Sequence, residues 1–574
     1  MKKEMTSRKR DFCIFLLGAL AIVCLFGWKI RYGNADIDEA FYPTVPLRLL
    51  KGDTLLLDEW HVTQLSGFLL TPFVALQRIL FGGTEGIILH LRVFWLIEHL
   101  TVMTVSYLLL EKRHGIFAAA AALMYGLFVP FGMMALSYNS MGVDAAYLLA
   151  VLYSSSSKSA AADIAKGFLF AVMVLCSPYT LGIYLAFMLM AVIHRLLPFD
   201  EQLGARHILR MHLGILILLI PFAAHVLSGM ESIGGMLDSI RQILTDPAHS
   251  VKSFFGHSRF SINMLLRENN LFFVRYAVLL VIGLLIRKLR PVMAGLIALA
   301  CTYYLVRDVR YFMYYWDGNS MAMFFLFTGI AVFLYDQERR LHTLLYTLVL
   351  PVGFALCVNM ASNQAVRSMN VAFLPGSCLA MVSLGDYCRR HPLNLKIGRY
   401  TIPVLKAMTA LALSLMIAAH GYLRLNHVFW EYVKPAELPA VIDHGAFKGI
   451  HTTPDKKDHY DKLCLELDAL GDLKDKKVLF YPTVPSGYLI ADCEIGAPSG
   501  WMEYSSLRDS RLETYYAMHP EKRPDVILVD TTAFIGTTVF EKWTQEDYRE
   551  YADQYGYEIL KSDEAFVVMR REMN

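Results

Sequence analysis

Apolar runs separated by short polar connectors fill the chain from Phe12 to His420. A helix needs about 20 mostly apolar residues to cross the hydrocarbon core of a bilayer. Runs of that kind lie near 12–30, 87–110, 115–137, 142–154, 167–177, 180–195, 211–228, 271–286, 291–306, 319–335, 341–360, 370–385 and 400–420, and they predict about thirteen transmembrane helices. The long stretch 167–195 is divided at "CSPYT", Cys176 to Thr180, because Pro178 has no amide donor and disfavours helix at Ser177. The first run has the basic start and apolar core of a signal peptide. It ends "FGWKIRYGNAD" without a small-residue cleavage pattern and therefore reads as a span.

From about Arg424 the pattern changes to that of a water-soluble fold. "KKVLFYP" (476–482) and "RPDVILVD" (523–530) read as short buried strands, "VFEKWTQEDYREYADQYG" (539–556) as a helix, and "YEILKSDEAFVVMRR" (557–571) as a β-hairpin. The expected organisation is a transmembrane domain over 1–423 and a small α/β domain over 424–574, the latter large enough for its own core.

Composition agrees with the membrane reading: 55% hydrophobic and 18% charged residues over 574 positions, with a mean hydropathy of +0.41, exclude a soluble enzyme of this size. The net charge of +3 says little about partners, and no nucleic-acid partner is expected. Its distribution says more. Lys2, Lys3, Arg8 and Arg10 precede the first span, and every second connection is basic: Lys112 and Arg113, Lys158 and Lys166, Arg195, Arg206 and Arg210, "RKLR" at 287–290, Arg339 and Arg340, and "CRRHPLNLKIGR" from Cys388. The positive-inside bias then sets the N-terminus in the cytoplasm and, with an odd number of spans, the 424–574 domain outside a cell membrane. The same face collects the 31–86 loop, "LSYNSMG" at 136–142, the 229–270 loop, "RDVRYFMYYWDGNS" at 307–320 and "ASNQAVRSMN" at 361–370.

Seven of the nine cysteines fall in or beside apolar segments and read as buried thiols. Cys464 and Cys493 lie in the exported part, where export permits a disulfide but no spacing pattern requires one. The sequence contains no metal-ligand spacing, phosphate-cradling glycine loop or nucleophile elbow. "FYPTVP" occurs at 41–46 and again at 480–485 in different surroundings, and reads as coincidence in turn-forming sequence.

The unusual feature of the exported face is "NADIDEAFYPTVPLRLLKGD", Asn34 to Asp53, which crowds Asp36, Asp38 and Glu39 against the end of the first span. The order of apolar span, acidic cluster, short amphipathic helix, second span, multi-span body and exported C-terminal domain resembles the GT-C superfamily of polytopic glycosyltransferases. The likeness is closest to the branch holding aminoarabinose transferases and protein O-mannosyltransferases. Asp38 and Glu39 with Tyr42 match the family's acidic pair and following aromatic, Gly52 and Asp53 the end of the first loop helix, and Asp58 with His61 the place of an Asp and a His in mannosyltransferases. The family's Pro-Pro-Leu is replaced here by "VTQLSGFLLTP", and an arginine before the aromatic by Phe41.

The resemblance implies transfer of a sugar from a polyprenyl-phosphate donor to the hydroxyl of a glycan, lipid or protein acceptor. Such chemistry needs a general base that deprotonates the acceptor while positive charge builds on the sugar ring. By resemblance that base is Asp38, with Glu39 as its orienting or acceptor-binding partner. The other reading of these acids is loop solvation and helix capping, which is preferred for Asp36. A lipid-phosphate leaving group calls for arginines at the outer membrane edge. Arg307, Arg310 and Arg367 stand there against the positive-inside bias. Tyr42, Asp58 and His61 complete the expected substrate-binding set; for His61, and for Asn139 as a further cleft candidate, the other reading is ordinary loop hydrogen bonding, which is preferred. The sequence neither requires nor excludes a divalent cation. A flippase for lipid-linked glycans would instead show internal repeats and acids within spans, and a glycan polymerase or ligase would rely on arginines in a late loop.

Overall fold

The computed structural model describes residues 2–155, 157, 159–245, 254–308, 324–336, 341–361, 372–397, 399–431, 433–501, 506–532 and 543–572. It is a helical membrane protein with a small sheet-bearing region toward the C-terminus. Among the described residues, six helices are long and apolar enough to cross a bilayer: Arg8–Lys29, Ile87–His114, Pro178–Leu196, Ala205–Gly229, Leu344–Ala361 and Val404–Asn426. A seventh candidate is the pair Phe255–Glu268 and Asn270–Leu285, bent by 86° at its break.

Several predicted spans are shorter than a bilayer. The run 115–137 holds only the helix Ile116–Gly126 before the chain passes through a single 3₁₀ turn, Pro130–Gly132. Pro130 interrupts the amide ladder, and Phe131 and Gly132 both take positive φ, 54° and 83°. The stretch 167–195 does break where the proline predicts, between Ala160–Cys176 and Leu181–Leu196. Glycine sets one close helix crossing. A Cβ at Gly167 would lie 1.7 Å from Met211 O, and one at Gly214 1.9 Å from Ile164 O. The helices Ala160–Cys176 and Ala205–Gly229 therefore meet almost backbone to backbone, the small-residue packing that membrane helices use.

The 31–86 stretch is more ordered than a loop. It contains the helix Asp38–Leu50 and a second, apolar helix, Leu65–Phe81, which the reading from sequence had left as connecting chain. Gly82, at φ 76°, ends that second helix in the left-handed conformation glycine tolerates.

Beyond residue 440 a five-stranded mixed sheet forms, in the order Glu494–Ile495, Lys477–Tyr481, Val526–Asp530, Phe566–Arg571, Tyr557–Ser562. The first three strands run parallel. The terminal hairpin pairs antiparallel, with Tyr557 opposite Arg571, where the alternating sequence placed it. The predicted 539–556 helix is observed as Gln545–Tyr555, capped by Thr544 and ended by Gly556. Cys464 and Cys493 are both buried free thiols.

This region is pinned to the first loop. Gly33 and Arg31 exchange backbone hydrogen bonds with His451, and Trp60 N donates to Pro498 O at 2.7 Å. Arg78 grips Asp492 with both terminal nitrogens, at 2.7 and 3.0 Å. Trp60 is itself part of the apolar core beneath the sheet.

Candidate active site

The helix Asp38–Leu50 begins at the acidic cluster, so Asp38 and Glu39 occupy its first turn, where carboxylates meet the positive end of the helix dipole. The capping expected of Asp36 is not made: Ile37 holds the N-cap position and no side chain caps there. Asp36 instead lies within the electrostatic reach of Lys456 and His459 from the helix Pro454–Ala469. Burial raises its pKa above the usual carboxylate range, and these two cations offset part of that rise.

Asp38 and Glu39 are adjacent in sequence and differ completely in surroundings. Glu39 is buried, and both its oxygens are taken by Arg92, Oε1 at 2.6 Å and Oε2 at 2.5 Å. Arg92 also donates to the carbonyls of Ile30, Tyr32 and Gly33, closing a buried polar knot between the first span, the loop and the span Ile87–His114. Asp38 is only half-buried, and its Oδ2 accepts a 2.9 Å hydrogen bond from Trp430 Nε1. Burial raises the Asp38 pKa, the Trp430 bond opposes that rise, and the negative charge of Asp36 adds to it. The described residues supply no hydrogen-bond donor to Oδ1.

Tyr42 is one turn along from Asp38. Its ring packs edge-on to Tyr138 at 5.9 Å, its hydroxyl hydrogen-bonds Asn139, and Asp38 acts electrostatically on both phenols. The helix Tyr138–Ser154 supplies Tyr138 and Asn139 at its first two positions, held by a capping box between Ser137 and Ser140. Asp38, Tyr42, Tyr138, Asn139 and Trp430 thus form one cluster at one end of the bundle.

The remaining loop residues look away from it. Arg48, buried in the loop, donates to Asp53 at 2.6 Å, Glu59 at 3.1 Å, Ala497 O at 2.9 Å and the Tyr515 hydroxyl at 2.9 Å. Asp53 also pairs with Lys522. Burial would raise the Asp53 pKa, but Arg48 and Lys522 outweigh it and hold the group below its ordinary value. Asp58 accepts from Thr54 N at 2.7 Å and faces His519 and Lys522 of the sheet-bearing region. His61 is buried against Phe41 and Trp501, with Nδ1 2.7 Å from Thr63 Oγ1. Among the described residues, one set of His and acid side chains converges closely enough to hold an ion: Asp58, His519 and Glu521.

Of the expected arginines, Arg307 is exposed on the last turn of the helix Arg290–Asp308, its guanidinium 4.8 Å from the Tyr304 ring centre. Arg310 and Arg367 lie outside the described residues. Reasoning from sequence missed Arg92, Arg48, Tyr138 and Trp430. Arg92 sits inside an apolar run, where a charge at a span end signals a partner; Trp430, far along the chain, carries no such signal.

No protein-family model matches the chain, and no curated protein matches it as a relative. Solved structures do. The chain superposes on ArnT from Cupriavidus metallidurans bound to undecaprenyl phosphate with a TM-score of 0.50, 12% identity and 97% of each chain covered. The same protein in its apo state gives 0.50, 13% and 97% of each chain. The chain therefore shares the fold of ArnT over nearly its whole length. A third likeness is to the archaeal oligosaccharyltransferase AglB from Archaeoglobus fulgidus in complex with an inhibitory peptide and a dolichol-phosphate, with TM-score 0.47, 13% identity, 91% of this chain and 69% of that one. The likeness to ArnT takes in the helical bundle, the first loop and the sheet-bearing region together, since 97% of each chain is covered.

Proposed function

We propose that the chain is a membrane glycosyltransferase that moves a sugar from a polyprenyl-phosphate donor to an acceptor hydroxyl on the extracytoplasmic face, with Asp38 as general base. The observation that carries this reading is the division of labour between Asp38 and Glu39: one carboxylate is consumed in a buried ion pair, while its neighbour is half-buried, oriented by Trp430 and bordered by Tyr42, Tyr138 and Asn139. Undecaprenyl phosphate bound to ArnT supports a lipid-phosphate donor.

In the reaction Asp38 takes the proton of the acceptor hydroxyl as its oxygen attacks the anomeric carbon. The bond from that carbon to the phosphate oxygen breaks, and the lipid phosphate leaves with the electron pair. The carboxylate serves twice, because its charge also stabilises the positive character of the ring in the transition state. Glu39 acts as a positioning residue, fixing the first helical turn through Arg92. Tyr42 and Asn139 border the acceptor, and Arg307 meets the donor phosphate at the membrane edge.

The decisive experiment incubates the purified chain in lipid with a panel of radiolabelled polyprenyl-phosphate sugars. Wild-type protein should transfer label from one of them, and Asp38→Asn should lower the rate by about 10² to 10⁴ with donor binding kept. Movement of a lipid-linked glycan across the membrane without label transfer would decide for a flippase.

A further inference from the structure

Asp58 and the segment around His519 meet where the first loop lies against the exported region. Asp58 Oδ2 is fixed by the Thr54 amide at 2.7 Å. Its Oδ1 stands 3.8 Å from His519 Nδ1, which is in turn 3.7 Å from Glu521 Oε1. All three ligand atoms fall within 4.8 Å of one another. These separations are too long for direct hydrogen bonds, which need about 2.7–3.2 Å. They are close to the spacing of atoms that share a cation: ligands about 2.0–2.2 Å from a tetrahedral ion stand about 3.3–3.6 Å apart. An exposed Glu521 and a turn at Pro520–Lys522 can close that difference.

The surrounding charges make an independent case. Arg48 hydrogen-bonds both Asp53 and Glu59, and Lys522 sits against Asp53. Lys522 Nζ remains 3.8 Å from Asp58 Oδ1, outside hydrogen-bond distance. Asp58 and Glu521 present two carboxylates to one imidazole, and the ammonium beside them, Lys522, is an ion-pair neighbour of Asp58 held more closely by Asp53. Two negative charges and a neutral nitrogen ligand suit a divalent ion, and the imidazole favours zinc over calcium or magnesium.

We propose that Asp58, His519 and Glu521 form a divalent-cation site of zinc type, with water as its fourth ligand, that clamps the first loop to the exported region. Two of the ligands come from one short segment and the third from the opposite side of the interface, so binding the ion ties the two together and opposes their separation. The site is separate from the Asp38 cluster and does not depend on the transferase reading.

The test uses the full chain in lipid nanodiscs, stripped with a chelator, desalted and titrated with zinc chloride. Metal content is read by mass spectrometry and stability by thermal unfolding. The expected result is one zinc per chain and a higher unfolding temperature, with binding weakened at least tenfold in Glu521→Gln and in His519→Ala and unchanged in His459→Gln. Glu521 is exposed, so its variant tests the site without endangering the fold. Cobalt(II) in place of zinc should give the visible absorption of a tetrahedral site, absent in His519→Ala. Failure of the stripped chain to take up zinc, or equal uptake by wild type and both ligand variants, would overturn the proposal.

Discussion

Trp430 Nε1 donates a 2.9 Å hydrogen bond to Asp38 Oδ2 across a sequence separation of 392 residues. The chain following the last span thereby reaches back over the mouth of the bundle and orients the proposed base. A donor to the ionised carboxylate favours that form, and it partly offsets the rise that burial and Asp36 impose on Asp38.

Trp430→Phe keeps an aromatic ring and removes the donor, so the Asp38 pKa should rise further. A general base works deprotonated; the acid limb of the kcat/KM profile follows its pKa, and activity is lost as pH falls through it. The limb should move to higher pH by about half to one unit, a charge-assisted bond discounted for the partial exposure of the carboxylate. An unmoved limb would assign Trp430 to packing alone.

Glu39 and Arg92 give the opposite signature. Glu39→Ala strands a buried guanidinium and should cost about 3–5 kcal/mol of stability, read as a lower unfolding temperature and faster proteolysis of the first loop. If Glu39 contacted the acceptor instead, its variants would raise the acceptor KM with stability intact.

How much of this was legible in the sequence depends on how far apart the partners lie. The break at Ser177-Pro178, the terminal hairpin and the strands Lys477–Tyr481 and Val526–Asp530 are local events, set by a missing amide or a short apolar run, and they stand where the sequence predicts. The run 115–137 misled because apolar composition does not reveal that Pro130, Phe131 and Gly132 unwind its second half. Leu65–Phe81 falls inside the predicted 31–86 loop; at 17 residues it is shorter than the run a bilayer needs. At the acidic cluster the resemblance assigns Asp38 and Glu39 different roles, but the residues alone do not show what separates their surroundings, since Arg92 and Trp430 are brought in only by tertiary structure. The Asp58, His519 and Glu521 group follows no ligand spacing for the same reason.

Arg307 should bear on the donor only. It is exposed at a helix end with its guanidinium over Tyr304, so Arg307→Ala should leave folding unchanged and raise the KM for a lipid-phosphate sugar severalfold. Steady-state kinetics with donor varied at saturating acceptor checks this, and an unchanged KM would return Arg307 to headgroup anchoring.

Orientation is open to direct measurement. A reporter fused after Asn574 should signal from the non-cytoplasmic side, because basic connections alternate along the spans. A cytoplasmic signal would remove Asp38 from the face on which the proposed acceptor is met.

Asp36→Asn and Asp38→Asn remove one charge each from the same turn and should behave differently. Asp38→Asn loses the proton acceptor, so transfer should fall by about 10² to 10⁴ at every pH. Asp36→Asn removes a like charge that holds the Asp38 pKa up; the pKa should drop, and the acid limb should move to lower pH, opposite in sign to Trp430→Phe, with turnover near neutrality retained. The double variant Asp36→Asn with Trp430→Phe should return the limb toward its wild-type position, since the two changes act on one carboxylate from opposite directions. Equal loss of activity in both single Asp variants would mean that the cluster acts through its total charge or through folding of the loop, and Asp38 would lose its role as base.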